Sequence, residues 1–198
     1  MSQLRLLLFS AVLLGGPAVA QDSYYIGVGV GSFDYRESFV DSLYGRVDDS
    51  VTTYELFGGF EFNEHVALEI SYRTTDDIMA VGSATVAPFG LISGRLTSDF
   101  SMTSLVGLGQ IPFEWGALIG GLGYFSSEND FREDLMADTF APFVSSGSYN
   151  DDGLTAALGI EWRFGRFGAR YGVRLEYEWW DIDAAEASAI GVGFSYGF

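Results

Sequence analysis

The chain contains no cysteine and no lysine, one histidine and four prolines in 198 residues. Without cysteine there is no disulfide and no thiolate centre, so the fold rests on packing and hydrogen bonds. Without lysine, all ten basic residues are arginine, set against 27 acidic ones for a net charge of −17. Nucleic-acid binding needs a basic surface, so that class of partner is excluded. Long apolar runs are also scarce. Beyond residue 20 no stretch approaches the roughly 18 apolar residues of a membrane-spanning helix.

What is present is aromatic residues at 16% and 26 glycines. The first twenty residues stand apart, with Arg5 as their only charge and an apolar run over Leu6–Leu14. Gly15-Gly16-Pro17 then breaks any helix, and Ala18-Val19-Ala20 has the small-x-small form that signal peptidase accepts. Residues 1–20 read as a signal peptide cleaved after Ala20, and residues 21–198 as one domain.

Alternation organises that domain. In Tyr54–Tyr72, Tyr54, Leu56, Phe60 and Phe62 share a face, opposite Glu55, Phe57, Gly59 and Glu61. After Asn63-Glu64-His65, Val66, Leu68, Ile70 and Tyr72 oppose Ala67, Glu69, Ser71 and Arg73. This is a hairpin with one apolar and one charged face. The same period marks six further strands: Tyr24–Gly31, Asp99–Leu108, Trp115–Phe125, Leu154–Phe164, Ala169–Trp180 and Ala189–Phe198. In Asp99–Leu108 the apolar face is Phe100, Met102, Val106 and Leu108. Long polar segments, Asp34–Ser50, Thr74–Arg95 and Ser126–Asp152, read as external loops and alternate with short turns.

Glu55, Glu61, Glu69, Arg73, Glu161, Arg163, Arg170, Arg174, Glu176 and Glu178 all avoid the apolar face of their strands. Eight alternating segments joined by turns and loops of unequal length predict an all-β fold, an eight-stranded antiparallel up-and-down transmembrane β-barrel. The apolar faces then meet lipid, and the ten charges line the lumen. Aromatics fall into two girdles: Tyr24, Phe60, Phe62, Trp115, Trp162 and Phe164 near the short turns, and Tyr54, Tyr72, Phe100, Tyr124, Tyr177 and Trp179 near the long segments. A soluble barrel such as a lipocalin would need the reverse pattern, polar outside and apolar within.

Gly59–Tyr72, GFEFNEHVALEISY, and the ending AIGVGFSYGF resemble the eight-stranded outer-membrane barrels of Gram-negative bacteria, the group of the OmpA transmembrane domain, OmpX and the opacity proteins. The resemblance implies residence in the outer membrane among lipid and lipopolysaccharide, as a monomer. It also implies that Phe198 is the terminal signal read by the barrel-assembly machinery.

For function, the lumen charges either pair and plug the barrel or line a narrow pore, and a small barrel is ordinarily filled by its own side chains. Catalysis is not expected: His65, the one candidate imidazole base, sits in a short turn at the end away from the long segments. No cofactor is implied. The acidic pairs Asp48-Asp49, Asp76-Asp77, Glu133-Asp134 and Asp151-Asp152 offer oxygens to divalent cations, but none matches an ordered calcium loop, so no metal site is assigned. The expected role is structural or surface-interacting, with a partner for the long segments left open.

Overall fold

A computed structural model describes residues 23–38, 46–86, 90–137, 140–164, 170–182 and 185–198. The signal segment and its cleavage point at Ala20 lie outside these residues. The strands are β1 (Ser23–Ser38), β2 (Arg46–Asn63), β3 (Val66–Thr75), β4 (Ile78–Val86), β5 (Gly90–Phe113), β6 (Gly116–Ala137), β7 (Phe140–Phe164), β8 (Arg170–Ile182) and β9 (Ala185–Gly197). All pairings are antiparallel, and β3–β5 together with β1–β9 closes the sheet on itself. The ring has eight members, because β4 continues the line of β3 after a break at Asp76-Asp77 and pairs with the upper part of β5. Closure leaves no unpaired edge inside the bilayer, where an orphan N–H or C=O would cost several kcal/mol, of the order of any polar group buried unpaired.

Within the ring the apolar side chains turn outward. Ile26, Val28, Val30, Leu56, Leu118, Leu122, Leu158, Leu175, Ile190 and Val192 are all exposed, Leu122 at 76% and Leu158 at 69%. In water this would be an aggregating surface; in hydrocarbon it is the stable face. Leu158→Arg should therefore cost about 2–4 kcal/mol in vesicle unfolding, against less than about 0.5 kcal/mol for Ser148→Arg on the outer face of the β6–β7 projection. Equal costs would mean that lipid does not contact Leu158.

Three expectations are corrected. Asp34–Ser50, Thr74–Arg95 and Ser126–Asp152 are not loops for most of their length. They are continuations of β1–β2, β3–β5 and β6–β7 past the upper aromatic girdle, paired up to Ser38↔Arg46, Val86↔Gly90 and Ala137↔Phe140. The rim is uneven: β8 and β9 stop at Ile182↔Ala185, whereas β4 to β7 rise together as a four-stranded projection.

The second correction concerns β5. Phe100, Met102, Val106 and Leu108 point into the barrel, each 3% exposed or less, and Phe100 belongs to no lipid-facing girdle. The outward face of β5 carries Ser101, Thr103, Leu105, Gly107 and Gly109 instead. The third correction, to the expectation that the apolar faces point outward throughout, explains the first. Above the girdle the amphipathic sense inverts on β1 and β6, while Met79 and Val81 of β4 stay outward and exposed. In β1, Tyr24 to Val30 face out at even positions, and then Ser32, Asp34 and Arg36 take over. Meanwhile the inward row passes from Gly27, Gly29 and Gly31 to Phe33 and Tyr35, both buried. Once the sheet leaves lipid, water is outside and the apolar side must be inside.

Candidate functional site: the charged lumen

The lumen has two contrasting layers. At the mouth, Phe33, Tyr35, Ile78, Phe100, Met102, Phe125, Trp180 and Ile182 form one buried cluster with Ala187 and Ala189. The Phe33 ring centre lies 5.8 Å from those of both Phe100 and Trp180, and Tyr35 lies 4.9 Å from Phe100. Tyr35 donates its hydroxyl to Glu37 Oε2 at 2.5 Å, and burial with that bond pushes the phenol well above its ordinary value. On the outer surface at this height Asp99 faces Asp130 and Asp77; partial desolvation first, then those two charges, raise its carboxyl above the usual range.

Below the aromatic layer come the charges. Arg174 on β8 reaches Glu69 on β3 by two bonds, Nη1 to Oε2 at 2.9 Å and Nη2 to Oε1 at 3.1 Å. Its Nη1 also stands 3.4 Å from Glu176 Oε2, and its guanidinium lies 4.2 Å from the centre of the Phe57 ring. Arg73 on β3 reaches back to Glu178 on β8, lies 3.1 Å from Glu55 Oε1, and sits 5.0 Å over the Trp180 ring. Because β3 and β8 are four places apart in the eight-membered ring, both arginines span its full diameter. The desolvation of such ions is offset only by close, well-directed partners, and the two-pronged Arg174–Glu69 pair is the geometry that meets this need.

Nearer the short turns, Arg163 Nε meets Glu161 Oε2 at 2.5 Å and its Nη2 meets Glu61 Oε1 at 3.2 Å. Arg170 Nη2 reaches the other Glu61 oxygen at 2.5 Å. All ten charges that the alternation singled out thus lie in the lumen in ion-pair contact, eight of them across strands and two, Glu161 and Glu176, with an arginine of their own strand.

Sequence reasoning missed the neutral partners. Tyr25 donates to Glu69 Oε2 at 2.8 Å, Gln110 Oε1 accepts from Arg163 Nη2 at 2.6 Å, and Ser195 Oγ donates to Glu161 Oε1 at 3.2 Å. Tyr25 has the same parity as the inward glycines of β1, which was the available signal. Two glycines make room for the rings: a Cβ on Gly27 would come within 2.2 Å of Phe57, and one on Gly59 within 2.4 Å of Tyr25. Phe198 exchanges two backbone hydrogen bonds with Tyr24, at 3.2 and 2.9 Å, and seals the seam between the two ends of the sheet. His65 lies in the turn between β2 and β3, its Nδ1 3.4 Å from the Gln110 carbonyl oxygen.

A closed eight-stranded ring, apolar outside and ionic within, defines a transmembrane barrel of the outer-membrane type. The chain belongs to the outer membrane protein beta-barrel domain family, whose profile matches residues 6–198. It resides in the outer membrane, in contact with lipid and lipopolysaccharide. Among solved structures it is similar to Ail, the attachment invasion locus protein of Yersinia pestis, in complex with the heparin analogue sucrose octasulfate. That match has 18% identity and a TM-score of 0.57, over 90% of this chain and 99% of Ail. It is also similar to OprG of Pseudomonas aeruginosa, at 14% identity and a TM-score of 0.54, over 89% of this chain and 95% of OprG. At these identities the likeness is one of fold. No curated protein sequence matches it.

Proposed function

We propose that this protein is a non-conducting, non-enzymatic outer-membrane barrel whose lumen is a structural brace and whose task is carried by the projecting sheet of β4 to β7. The observation that carries the reading is the pair of arginines, Arg73 and Arg174, that span the barrel diameter to carboxylates on the opposite wall. Such struts resist deformation of the ring and occupy the path that ions would take. A rigid barrel of this kind is a mount for what stands above it.

The sheet above is predominantly acidic on its outer face, with Asp99, Glu128, Asp130, Asp134 and Asp152 against Arg95 and Arg132. Ail was solved with a polyanion; this outer face would repel one, so the surface partner in this reading is cationic or neutral. Insertion through the barrel-assembly machinery, with Phe198 as its signal, and a monomeric state accompany the proposal. The test is single-channel recording of the refolded chain in a planar bilayer. Wild type should give no discrete steps, whereas the Arg73→Ser/Arg174→Ser/Phe33→Ala triple variant, with both struts and the centre of the mouth cluster removed, should conduct. Reproducible steps from the folded wild type would replace the brace with a pore.

A further inference from the structure

The upper end of the projecting sheet departs from the alternation that governs the rest of the molecule. Residues 78–94, which span β4 and the top of β5, contain no charge in a chain of net charge −17. On the outer face Val81, Leu91, Met136 and Val144 are each about half exposed or more. On the inner face Ile92, Leu135 and Phe143 are apolar too, and Phe143 is half exposed. Leu135 pairs with Phe143 and Gly94 on the inner side, while Met136 pairs with Ser93 on the outer. Both faces of the sheet end are therefore apolar at once, and a partner lying on one face would leave the other bare.

Height and charge indicate what covers them. Ala137 lies thirteen residues beyond Tyr124 of the upper girdle, roughly 33 Å above it for a rise of about 3.3 Å per residue and a tilt near 40°. The acyl chains of the protein's own bilayer end at that girdle and do not reach the tip. Just below the tip the charges return in balance. Arg95 and Asp134 face each other across β5 and β6, Arg132 Nη2 donates to Asp134 Oδ1 at 3.1 Å, and Glu133 faces inward. Two positive and two negative groups complement a zwitterionic headgroup layer, whereas Asp99, Glu128 and Asp130 lower down repel an anionic one. From Asp134 to Ala137 is about 10 Å along the strand, and apolar elements at a membrane surface enter it by about 5–10 Å.

We propose that the tip of the β4–β7 projection inserts into the surface of an opposing zwitterionic bilayer and so tethers the outer membrane to a second lipid surface. The inference rests on the projecting sheet being the working part of the protein. A bilayer surrounds both faces of an immersed sheet end without a shaped cleft, and the uncharged tip carries no ion to be desolvated there.

Because the chain has no cysteine, a single reporter can be placed at will. Met136→Cys, labelled with an environment-sensitive fluorophore and folded into nanodiscs, is mixed with protein-free phosphatidylcholine vesicles. Its emission should shift to the blue, while the same label on Ser148→Cys, lower on the outer face, should not change. In density-gradient flotation wild-type discs should rise with the vesicles, and Leu91→Asp/Phe143→Asp should fall to the level of empty discs. Ser146→Asp/Ser148→Asp adds equal charge lower down and should float as wild type does. Phosphatidylglycerol vesicles should carry roughly tenfold fewer discs. A heat-modifiable gel shift reports that each variant is folded. Flotation untouched by Leu91→Asp/Phe143→Asp, or unshifted emission from the label at position 136, would overturn the proposal. So would association of the discs with one another before any vesicle is added, which would assign the tip to a second copy of the chain. Lumen conductance is read separately in the planar bilayer, so a failed brace and a failed lipid contact are told apart.

Discussion

Arg174→Met should cost about 3–5 kcal/mol of unfolding free energy, measured by equilibrium urea denaturation of the barrel in phospholipid vesicles. The size comes from what is left behind. Glu69 is 5% exposed, and without Arg174 its carboxylate keeps only the Tyr25 hydroxyl. Methionine fills the stem volume but supplies no charge, so the loss is electrostatic and not a packing defect. A second substitution separates the two readings. Arg174→Met/Glu69→Gln removes both charges and should recover most of the loss, because taking out a whole buried pair is far less damaging than breaking it. By contrast Arg132→Ala, whose side chain is 63% exposed beside Asp134, should change stability by less than about 1 kcal/mol. A cost below about 1 kcal/mol for Arg174→Met would mean that water solvates the lumen at that depth.

Phe33→Ala should cost a comparable 3–5 kcal/mol or so, for an unrelated reason. Phe33 is fully buried and touches Tyr35, Phe100 and Trp180, so truncation opens a cavity in the middle of the mouth cluster. These neighbours sit on β1, β5 and β8, strands held at fixed separation by the closed ring, and they have little freedom to collapse into the gap. Phe33→Leu should recover more than half of the loss. The same vesicle denaturation reads both variants. A cost for Phe33→Ala like that of an exposed residue would show that the mouth is an open vestibule and that the aromatic layer is not a packed core.

Inside the membrane the fold was legible from the residues, because lipid and lumen impose opposite demands on successive positions. Val28, Leu56, Leu122, Leu158 and Val192 could only face out, and Glu55, Glu69, Arg73, Arg174 and Glu176 only in. Where that contrast changes, reading fails. Above the girdle Phe33 and Tyr35 occupy the inward row with Asp34 and Arg36 outward, a pattern opposite to that of the same strand a few residues earlier. A segment that switches sense midway shows no sustained period, and so the continuations of β1, β6 and β7 passed for loops. On β5 the error had another source. Its outward face is small and only weakly apolar, so Phe100, Met102, Val106 and Leu108 outweighed it, although they pack against the inner side of the mouth and wall. The charge positions of the lumen followed from parity alone, but the pairings did not. Which carboxylate meets which arginine depends on strand stagger around the whole ring, and no local stretch of sequence encodes that.

The seam between β1 and β9 has a consequence for how the protein comes into being. Every other pairing joins strands close in sequence, whereas the seam joins Tyr25 to Gly197 and Glu37 to Ala185. Loop-closure entropy makes that contact the slowest to form, so the ring shuts last. Until it shuts, both edges present bare N–H and C=O groups that hydrocarbon cannot satisfy. A half-built sheet therefore has no resting place in the bilayer. Insertion and closure must proceed as one event, and that event needs β1 and β9 together, since Phe198 and Tyr24 exchange two backbone bonds across the seam.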